Sequence, residues 1–319
     1  MELSQVDLGN TGIKVSKICY GALTMSPLQM DFSFERGAEL LYYAFQKGIN
    51  FLDTADYYDN YGHIREFLKQ IPSRENYVIG TKSYAYSTET AKQTLDRALN
   101  EMQTDYVDLF LLHEQESDAT IRGHYEAIEY LLRKKEEGLI RAVGISTHFI
   151  EAVNASIDYP ELEVVMPIIN RSGIGIVDGS RLEMEQAIAS AKGSGKAIYA
   201  MKPFGGGHLI SDAVNSFNYV NDLKTIDSIA IGMQSEAEID ANCQLINLGY
   251  IEDETFSRLD LKSRKLHIAD WCIGCGNCVK ACQQNALKLI NQKAIVDENK
   301  CVKCGYCARR CPEFCIKVY

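Results

Sequence analysis

Four cysteines at C-x2-C-x2-C-x3-C spacing, Cys272, Cys275, Cys278 and Cys282, recur 29 residues further on as Cys301, Cys304, Cys307 and Cys311, the last followed by Pro312. This doublet restricts the fold of its stretch more than any other feature. Three thiols within seven residues must sit on one turning loop, close enough to cap one face of an iron–sulfur cube. Two zinc knuckles are the plain alternative, since C-x2-C pairs also make tetrahedral sites, but zinc ribbons separate two such pairs by a long loop. A disulfide framework needs an oxidising compartment, and Met1 to Lys17 carries no secretory pattern. Of the eleven cysteines only Cys19 and Cys243 precede Trp271, so cysteine usage marks a module rather than the whole chain.

From about Leu266 to Tyr319 the sequence resembles the two-cluster bacterial ferredoxin domain. The resemblance implies two [4Fe–4S] clusters, each held by three thiolates of one run and the fourth of the other. Cys272, Cys275, Cys278 and Cys311 would hold one, and Cys301, Cys304, Cys307 and Cys282 the second. Gln283 stands where a second proline is usual, a departure in the flank and not in the ligands. Cys315 is left over and reads as a small packed hydrophobe beside a cluster; His267 reads as a surface histidine. From Leu266 onward eight Lys or Arg face four Asp or Glu, a balance of +4; with −10 for the chain, the first 265 residues carry −14. So acidic a body argues against nucleic acid or an anionic membrane as partner. No apolar run approaches the roughly 18 residues of a membrane span. Thiolate-held clusters point to a reducing cytoplasm poor in oxygen.

Before the module, short apolar stretches recur about every 30 residues, the length of a βαβ unit. They are Ser16–Gly21, Asn50–Asp53, Tyr77–Thr81, Tyr106–Leu111, Ala142–Ser146, Val164–Pro167, Ala197–Met201 and Ser228–Ile231. Amphipathic patterns between them predict helices over Glu35–Gln46, Thr88–Met102, Ile121–Glu136, Arg181–Lys192 and Ser235–Leu248. Eight strands alternating with helices predict an α/β fold, a closed (β/α)8 TIM barrel over residues 1–248. Val6–Val15, around Gly9-Asn10-Thr11-Gly12, reads as a hairpin closing its bottom. A charged connector over 249–265 leads to a small α+β ferredoxin-like domain over 266–319. An open doubly wound sheet would need a glycine fingerprint after its first strand, and Gly21-Ala22-Leu23-Thr24 supplies none.

In a barrel the C-terminal strand ends share one mouth, and several here are polar. Asp53-Thr54-Ala55-Asp56-Tyr57-Tyr58 follows the second strand, Lys82 the third and His113 the fourth. These residues, with Arg141-Ala142-Val143-Gly144-Ile145-Ser146 and Asn242, resemble the aldo-keto reductase superfamily over roughly Val6–Asn247. The resemblance implies a catalytic tetrad of Asp53, Tyr58, Lys82 and His113, with the adjacent Tyr57 a rival for the acid. A phenol of ordinary pKa about 10 is a weak proton donor unless a cation stabilises its anion. Lys82 supplies that charge in this reading, Asp53 holds Lys82, and His113 orients the substrate oxygen.

The cofactor side departs from the family. Thr147, Met166 and Met201 stand where an Asn, a Gln and a nicotinamide-stacking aromatic are usual. Gly232 and Glu238 replace the Lys and Arg that grip the NADPH 2′-phosphate, and a carboxylate repels a phosphate. The candidate contacts are Ser146, Asn170, Gly205, Gly206, Gly207, Gly232, Met233 and Ser235, the last opening a helix with Glu238 in a capping box. NADH is expected ahead of NADPH, with a flavin open. The expected function is carbonyl reduction or alcohol oxidation on a small molecule, with the clusters for electron transfer or redox sensing and a redox partner protein as a further expectation. The alternatives are an iron–sulfur electron-transfer protein whose barrel is a docking scaffold, and a flavin-linked, ferredoxin-dependent reductase.

Overall fold

The computed structural model describes residues 3–260 and 264–319; Met1, Glu2 and the part of the predicted connector at 261–263 lie outside them. The chain opens with β1 (Gln5–Asp7) and β2 (Lys14–Ser16), antiparallel with Val6 opposite Val15. Gly9, at φ 52°, turns this hairpin against the barrel floor, where a Cβ would stand 2.6 Å from Ala197 Cα. The close approach admits only glycine, and Leu8, Ile13 and Val15 are buried beside it.

The barrel then runs β3 (Ile18–Gly21), α1 (Phe34–Gln46), β4 (Phe51–Asp53), α2 (Tyr61–Leu68), β5 (Val78–Ser83), α3 (Thr88–Met102) and β6 (Val107–Leu112). It continues with α4 (Asp118–Gly123), α5 (Tyr125–Glu136), β7 (Ile140–Thr147), α6 (Ile150–Ala155), β8 (Val164–Pro167), α7 (Arg181–Gly193), β9 (Ala197–Met201), α8 (Ala213–Asn221), β10 (Ser228–Gly232) and α9 (Glu236–Leu248). Strands β3 to β10 pair in parallel, and β10 closes on β3 with Ile229 opposite Ile18. Their continuous apolar composition follows from burial on both faces: every residue of Val107–Leu112 is buried.

The single helix expected over Ile121–Glu136 is two. Ser117 and Thr120 form a capping box that starts α4 earlier than the apolar pattern suggests, and the chain bends at His124, just after the weak helix former Gly123. The capping box expected at α9 is half formed: Ser235 accepts from Glu238 N, but the Glu238 carboxylate accepts from Gln234 N instead of reaching back to Ser235.

Beyond the barrel, α10 (Asp253–Ser257) lies on α9, where Gln244 Nε2 donates to Glu252 and Thr255. The cysteine module contains β11 (Leu266–Ile268), α11 (Asn277–Ala281), β12 (Leu287–Ile290), β13 (Lys293–Val296) and β14 (Ile316–Val318). β11 pairs antiparallel with β14, and β12 with β13. The module sits on the barrel's C-terminal mouth. Phe314, Ile316 and Val318 join the buried core, which stabilises the docking by about 1.5–3 kcal/mol for each fully buried side chain. Among the described residues no helix is long and apolar enough to cross a membrane.

Candidate active site

Three neighbouring strand ends bring the four predicted catalytic residues together. Asp53 ends β4, Lys82 lies near the end of β5, and His113 follows β6. Lys82 Nζ donates to both Asp53 oxygens at 2.7 Å and to Thr54 O at 2.7 Å, which commits all three of its donors. Both side chains are almost fully buried. Burial pushes the Asp53 carboxyl up, while Lys82 opposes that shift. Tyr199, on β9, donates from its hydroxyl to Asp53 Oδ1 at 3.0 Å and so holds the carboxylate from the opposite side.

Tyr58 lies over this pair, with Lys82 Nζ 5.2 Å from its ring centroid and the His113 ring 5.8 Å away, edge to face. Tyr57 is half exposed and meets Tyr84, so of the adjacent tyrosines Tyr58 is the one whose ring lies over Lys82. The expected acidification of Tyr58 is not what the geometry gives. Burial, followed by the charges of Asp53 and Glu114, holds its phenol well above the usual range, and Lys82 has no donor left for it. His113 stacks on Tyr84, with ring centroids 4.6 Å apart. Burial and the nearby Lys82 lower its pKa to about 3, so the imidazole is neutral near pH 7, and its Nδ1 is buried without a hydrogen-bond partner.

The next strand ends add residues that were not singled out in the sequence. Lys202, one residue past β9, donates to His148 Nε2 at 2.6 Å. Lys202 and Glu114 have φ of 62° and 51°, a left-handed backbone that costs a non-glycine residue of order 1 kcal/mol and clusters at functional sites. Burial would raise the Glu114 carboxyl, but His113, His148 and Lys202 outweigh it and hold it at about 2. Lys202 carried the same signal as Lys82, a charged residue at a strand end. Tyr199 was legible as the inward partner of Met201 in a period-two strand.

Two cavities meet over this floor. A groove of about 160 Å³ runs from Asp53 and Tyr58 past Met166 and Met201 to Gly232, Gln234 and Arg264. A wider cavity of about 510 Å³ is lined by Tyr58, Tyr84, His113 and Lys202 on the barrel side and by Trp271, Pro312, Glu313, Phe314 and Lys317 on the module side.

The predicted cofactor contacts are scattered around the groove. Gly206, Gly207 and Gly232 line it. The close approach that Gly206 and Gly207 permit is taken by the module: Val318 N donates to Gly206 O at 2.8 Å, a Cβ on Gly206 would meet Phe314 and Lys317, and one on Gly207 would stand 1.9 Å from Val318 O. Gly205, at φ 58°, faces Ile174. Met233 O accepts from Tyr20 and Thr24, and Ser235 caps α9. Ser146 Oγ accepts from Glu114 N. Asn170 spends its amide inside its own loop, accepting from Ser172 N and Ile174 N and donating to Ile174 O. At the outer end Arg264 pairs with the Glu238 carboxylate, so the charge expected to repel a phosphate is countered. Arg264 Nε is buried and without a partner; such an orphan donor fits an oxygen of a dinucleotide in the groove. Met166 and Met201 offer no comparable grip on a nicotinamide amide.

In the module Cys272, Cys275, Cys278 and Cys311 line one small cavity, joined by Cys315, whose sulfur lies 3.3 Å from that of Cys311. Cys282, Cys301, Cys304 and Cys307 line another. The first space thus has five thiols around it and the second four, each including a donor set that fits an iron–sulfur cluster. Among the described residues no three His, Cys, Asp or Glu side chains are grouped tightly enough to hold a single metal ion, so the predicted ligand thiols stand apart around these two spaces. His267 packs on Tyr319 with ring centroids 4.9 Å apart.

Residues 17–228 match the Aldo/keto reductase family, and residues 251–316 match the 4Fe-4S dicluster domain. L-galactose dehydrogenase of Arabidopsis thaliana is 27% identical over 300 residues, covering 79% of this chain and 92% of that one. 6-Dehydroglucose reductase of Novosphingobium aromaticivorans is 27% identical over 243 residues, covering 70% and 75%. Among solved structures, an aldo-keto reductase of Bacillus halodurans in its holo form superposes with a TM-score of 0.64 at 20% identity, covering 80% of this chain and 95% of that one. The Bombyx mori aldo-keto reductase in complex with NADP gives 0.62 at 16%, covering 81% and 92%. The chain belongs to the aldo/keto reductase family and carries a 4Fe-4S dicluster domain at its C-terminal end.

Proposed function

We propose that the chain reduces a small-molecule carbonyl at Tyr58, with Asp53, Lys82 and His113 as its supporting residues. In this reading Cys272, Cys275, Cys278 and Cys311 hold one [4Fe–4S] cluster, and Cys282, Cys301, Cys304 and Cys307 the other. The observation that carries the reading is the fully committed Lys82–Asp53 pair beneath Tyr58, which itself lines a cavity whose far wall includes the segment following Cys311. Tyr58 keeps its proton through the neutral range and gives it to the oxygen of the carbonyl as charge develops there. His113, a neutral imidazole, orients that oxygen by a hydrogen bond that adds no charge. Asp53, held by Tyr199, and Lys82 fix the floor on which the Tyr58 ring rests. Arg264 Nε and Gln234 would meet the outer part of a nicotinamide dinucleotide, and Glu238 its ribose hydroxyls, which favours NADH. A dinucleotide supplies a hydride, two electrons together, whereas iron–sulfur clusters pass electrons singly, so joining them takes a carrier of both kinds such as a flavin.

One observation favours a second reading, in which the barrel is a scaffold for electron transfer. With the module's strand as its wall, the groove has about 160 Å³, below the 300–1,000 Å³ common for ligand pockets. Tyr58→Phe separates the two. Under the reductase reading, anaerobically purified Tyr58→Phe loses carbonyl turnover by about 10²–10⁴-fold, while the cluster absorption bands and their bleaching by dithionite are unchanged. Unchanged turnover in Tyr58→Phe overturns the assignment of the acid. Iron, sulfide, flavin and nicotinamide analysis of the same preparation tests the cofactor complement.

A further inference from the structure

The barrel and the module each place one lysine at the partition between the groove and the wider cavity. Lys202 comes from the end of β9 and Lys317 from β14, and both line both spaces. Lys317 is 8% exposed. Its Nζ lies 3.2 Å from the Phe314 ring centroid and donates to Phe314 O. Lys202 Nζ lies 4.7 Å from the same centroid, on a ring that also meets His148 edge-on. Among the described residues no carboxylate reaches ion-pair distance of either nitrogen, in contrast to Lys82, which has Asp53.

Buried charges are ordinarily paired, because withdrawing an ion from water is costly. An ammonium has three donors. Lys202 uses one on His148 and Lys317 one on Phe314, so donors remain on both. The Phe314 face offsets part of the burial through its quadrupole, and Glu114 acts on both nitrogens from beyond ion-pair distance, but no anion among the described residues contacts either one. Two half-satisfied amines share one aromatic ring at the edge of a cavity lined by Tyr58 and His113; burial lowers both, with Lys202 adding to the shift at Lys317, and an anion between them would hold both protonated.

We propose that Lys202 and Lys317 form an anion site that takes a carboxylate or phosphate group of the molecule bound at the barrel mouth. The substrate class that follows, a carbonyl compound bearing such a group, rests on the carbonyl chemistry assigned to Tyr58. The module then completes the site, because Lys317 belongs to its last strand. The anion has two sources, a substrate beside Tyr58 or the pyrophosphate of a dinucleotide in the groove.

The test uses the full chain with its clusters in place and begins without substitutions. Calorimetry compares glutarate with its uncharged analogue glutaramide, and ADP-ribose serves as a pyrophosphate probe. The unsubstituted protein is expected to bind glutarate, or ADP-ribose, at least ten-fold more tightly than glutaramide. Lys202→Met and Lys317→Met, which keep the apolar stem, should each remove that preference, and Lys202→Arg should retain part of it. Loss confined to glutarate assigns the anion to the substrate; loss confined to ADP-ribose assigns it to the cofactor. Equal binding of charged and uncharged probes by the unsubstituted protein, or an unchanged preference in both methionine variants, overturns the proposal. A parallel assay of succinic semialdehyde against butanal reads turnover: if neither is reduced while the binding difference persists, the carbonyl reading fails and the anion site stands.

Discussion

The two halves of the barrel mouth are built on different terms. The half at β4 to β6 is self-sufficient with respect to the module: Asp53, Lys82 and Thr54 satisfy one another, Tyr199 of β9 adds one donor to Asp53, and no module atom takes part. The half at β8 to β10 is shared, since its methionines and glycines form one wall of a groove whose other wall is Lys317, Val318 and Tyr319. Met166 and Met201 present apolar side chains to the groove, and Gly206 and Gly207 lie against the module's last strand and Phe314. On the proposed reading, a family fold keeps its acid–base floor and shares its cofactor side with a second module. The halves should therefore fail separately when perturbed.

The largest separate failure is expected from Asp53→Asn. It removes the counter-charge from a lysine that is 1% exposed, and breaking a buried pair from one side costs about 3–5 kcal/mol. Denaturant unfolding should show that loss, with carbonyl turnover gone. The neutral double variant Asp53→Asn/Lys82→Met should recover most of the stability and none of the activity. Cluster absorption should be intact throughout. If it disappears with Asp53, the first half is not self-sufficient and the comparison collapses.

The shared half is broken by Gly207→Val. Gly207 has φ 92° and no room for a Cβ beside Val318 O, and a β-branched residue there combines a clash with a forbidden backbone, at about 2–3 kcal/mol. The expected result is undocking of the C-terminal strand, seen as faster proteolysis between the barrel and the cysteine module. The thermal transition of the barrel should hardly move. Retained protease resistance would mean that the strand does not depend on the glycine's close approach.

Acid sharpens the contrast. His113 is held at about 3 against an ordinary 6.5, so between those values the unfolded chain binds a proton that the folded chain does not. Stability from this group is complete above about pH 6.5 and falls as the pH drops toward 3, by about 2 kcal/mol at pH 5. His148, lowered by burial and Lys202, acts in the same direction. Unfolding followed from pH 7 to 5 should show the decline, and His113→Asn should flatten it. Tyr58, by contrast, is held upward, so the reduction rate should have no alkaline limb below about pH 10.

Much of this arrangement was written in local sequence, and the remainder lies in contacts that no local pattern encodes. Asp53, Lys82 and His113 stand out because a polar residue ending an apolar strand points into the mouth, and Val164–Pro167 and Ala197–Met201 are strands with the bounds their apolar runs suggest. The break at His124 was hidden because a polar first turn, Asp118 to Thr120, looks like loop until Ser117 is seen to cap it. The purpose of Gly206 and Gly207 was hidden for another reason: the residues that need them, Phe314, Lys317 and Val318, lie more than 100 positions away in a different module. Asn170 looked like a ligand contact because a loop-capping amide and a cofactor-binding amide are the same residue type.

The smallest expected effect concerns the outer end of the groove, where the module's approach brings Arg264 against Glu238. If the shared half still receives a dinucleotide, the unpartnered Arg264 Nε is its spare donor. A charged hydrogen bond of about 1.5–3 kcal/mol, partly replaced by water, puts the loss in Arg264→Gln at roughly ten-fold in affinity. The substitution also frees Glu238, whose carboxyl burial pushes up and Arg264 holds down. The freed carboxylate would repel a 2′-phosphate while still accepting from a ribose hydroxyl. NADPH binding, titrated by fluorescence, should therefore weaken more than NADH binding. Equal weakening would place Arg264 on a part common to both nucleotides, and no weakening of either would leave the outer groove to the protein's own ion pair.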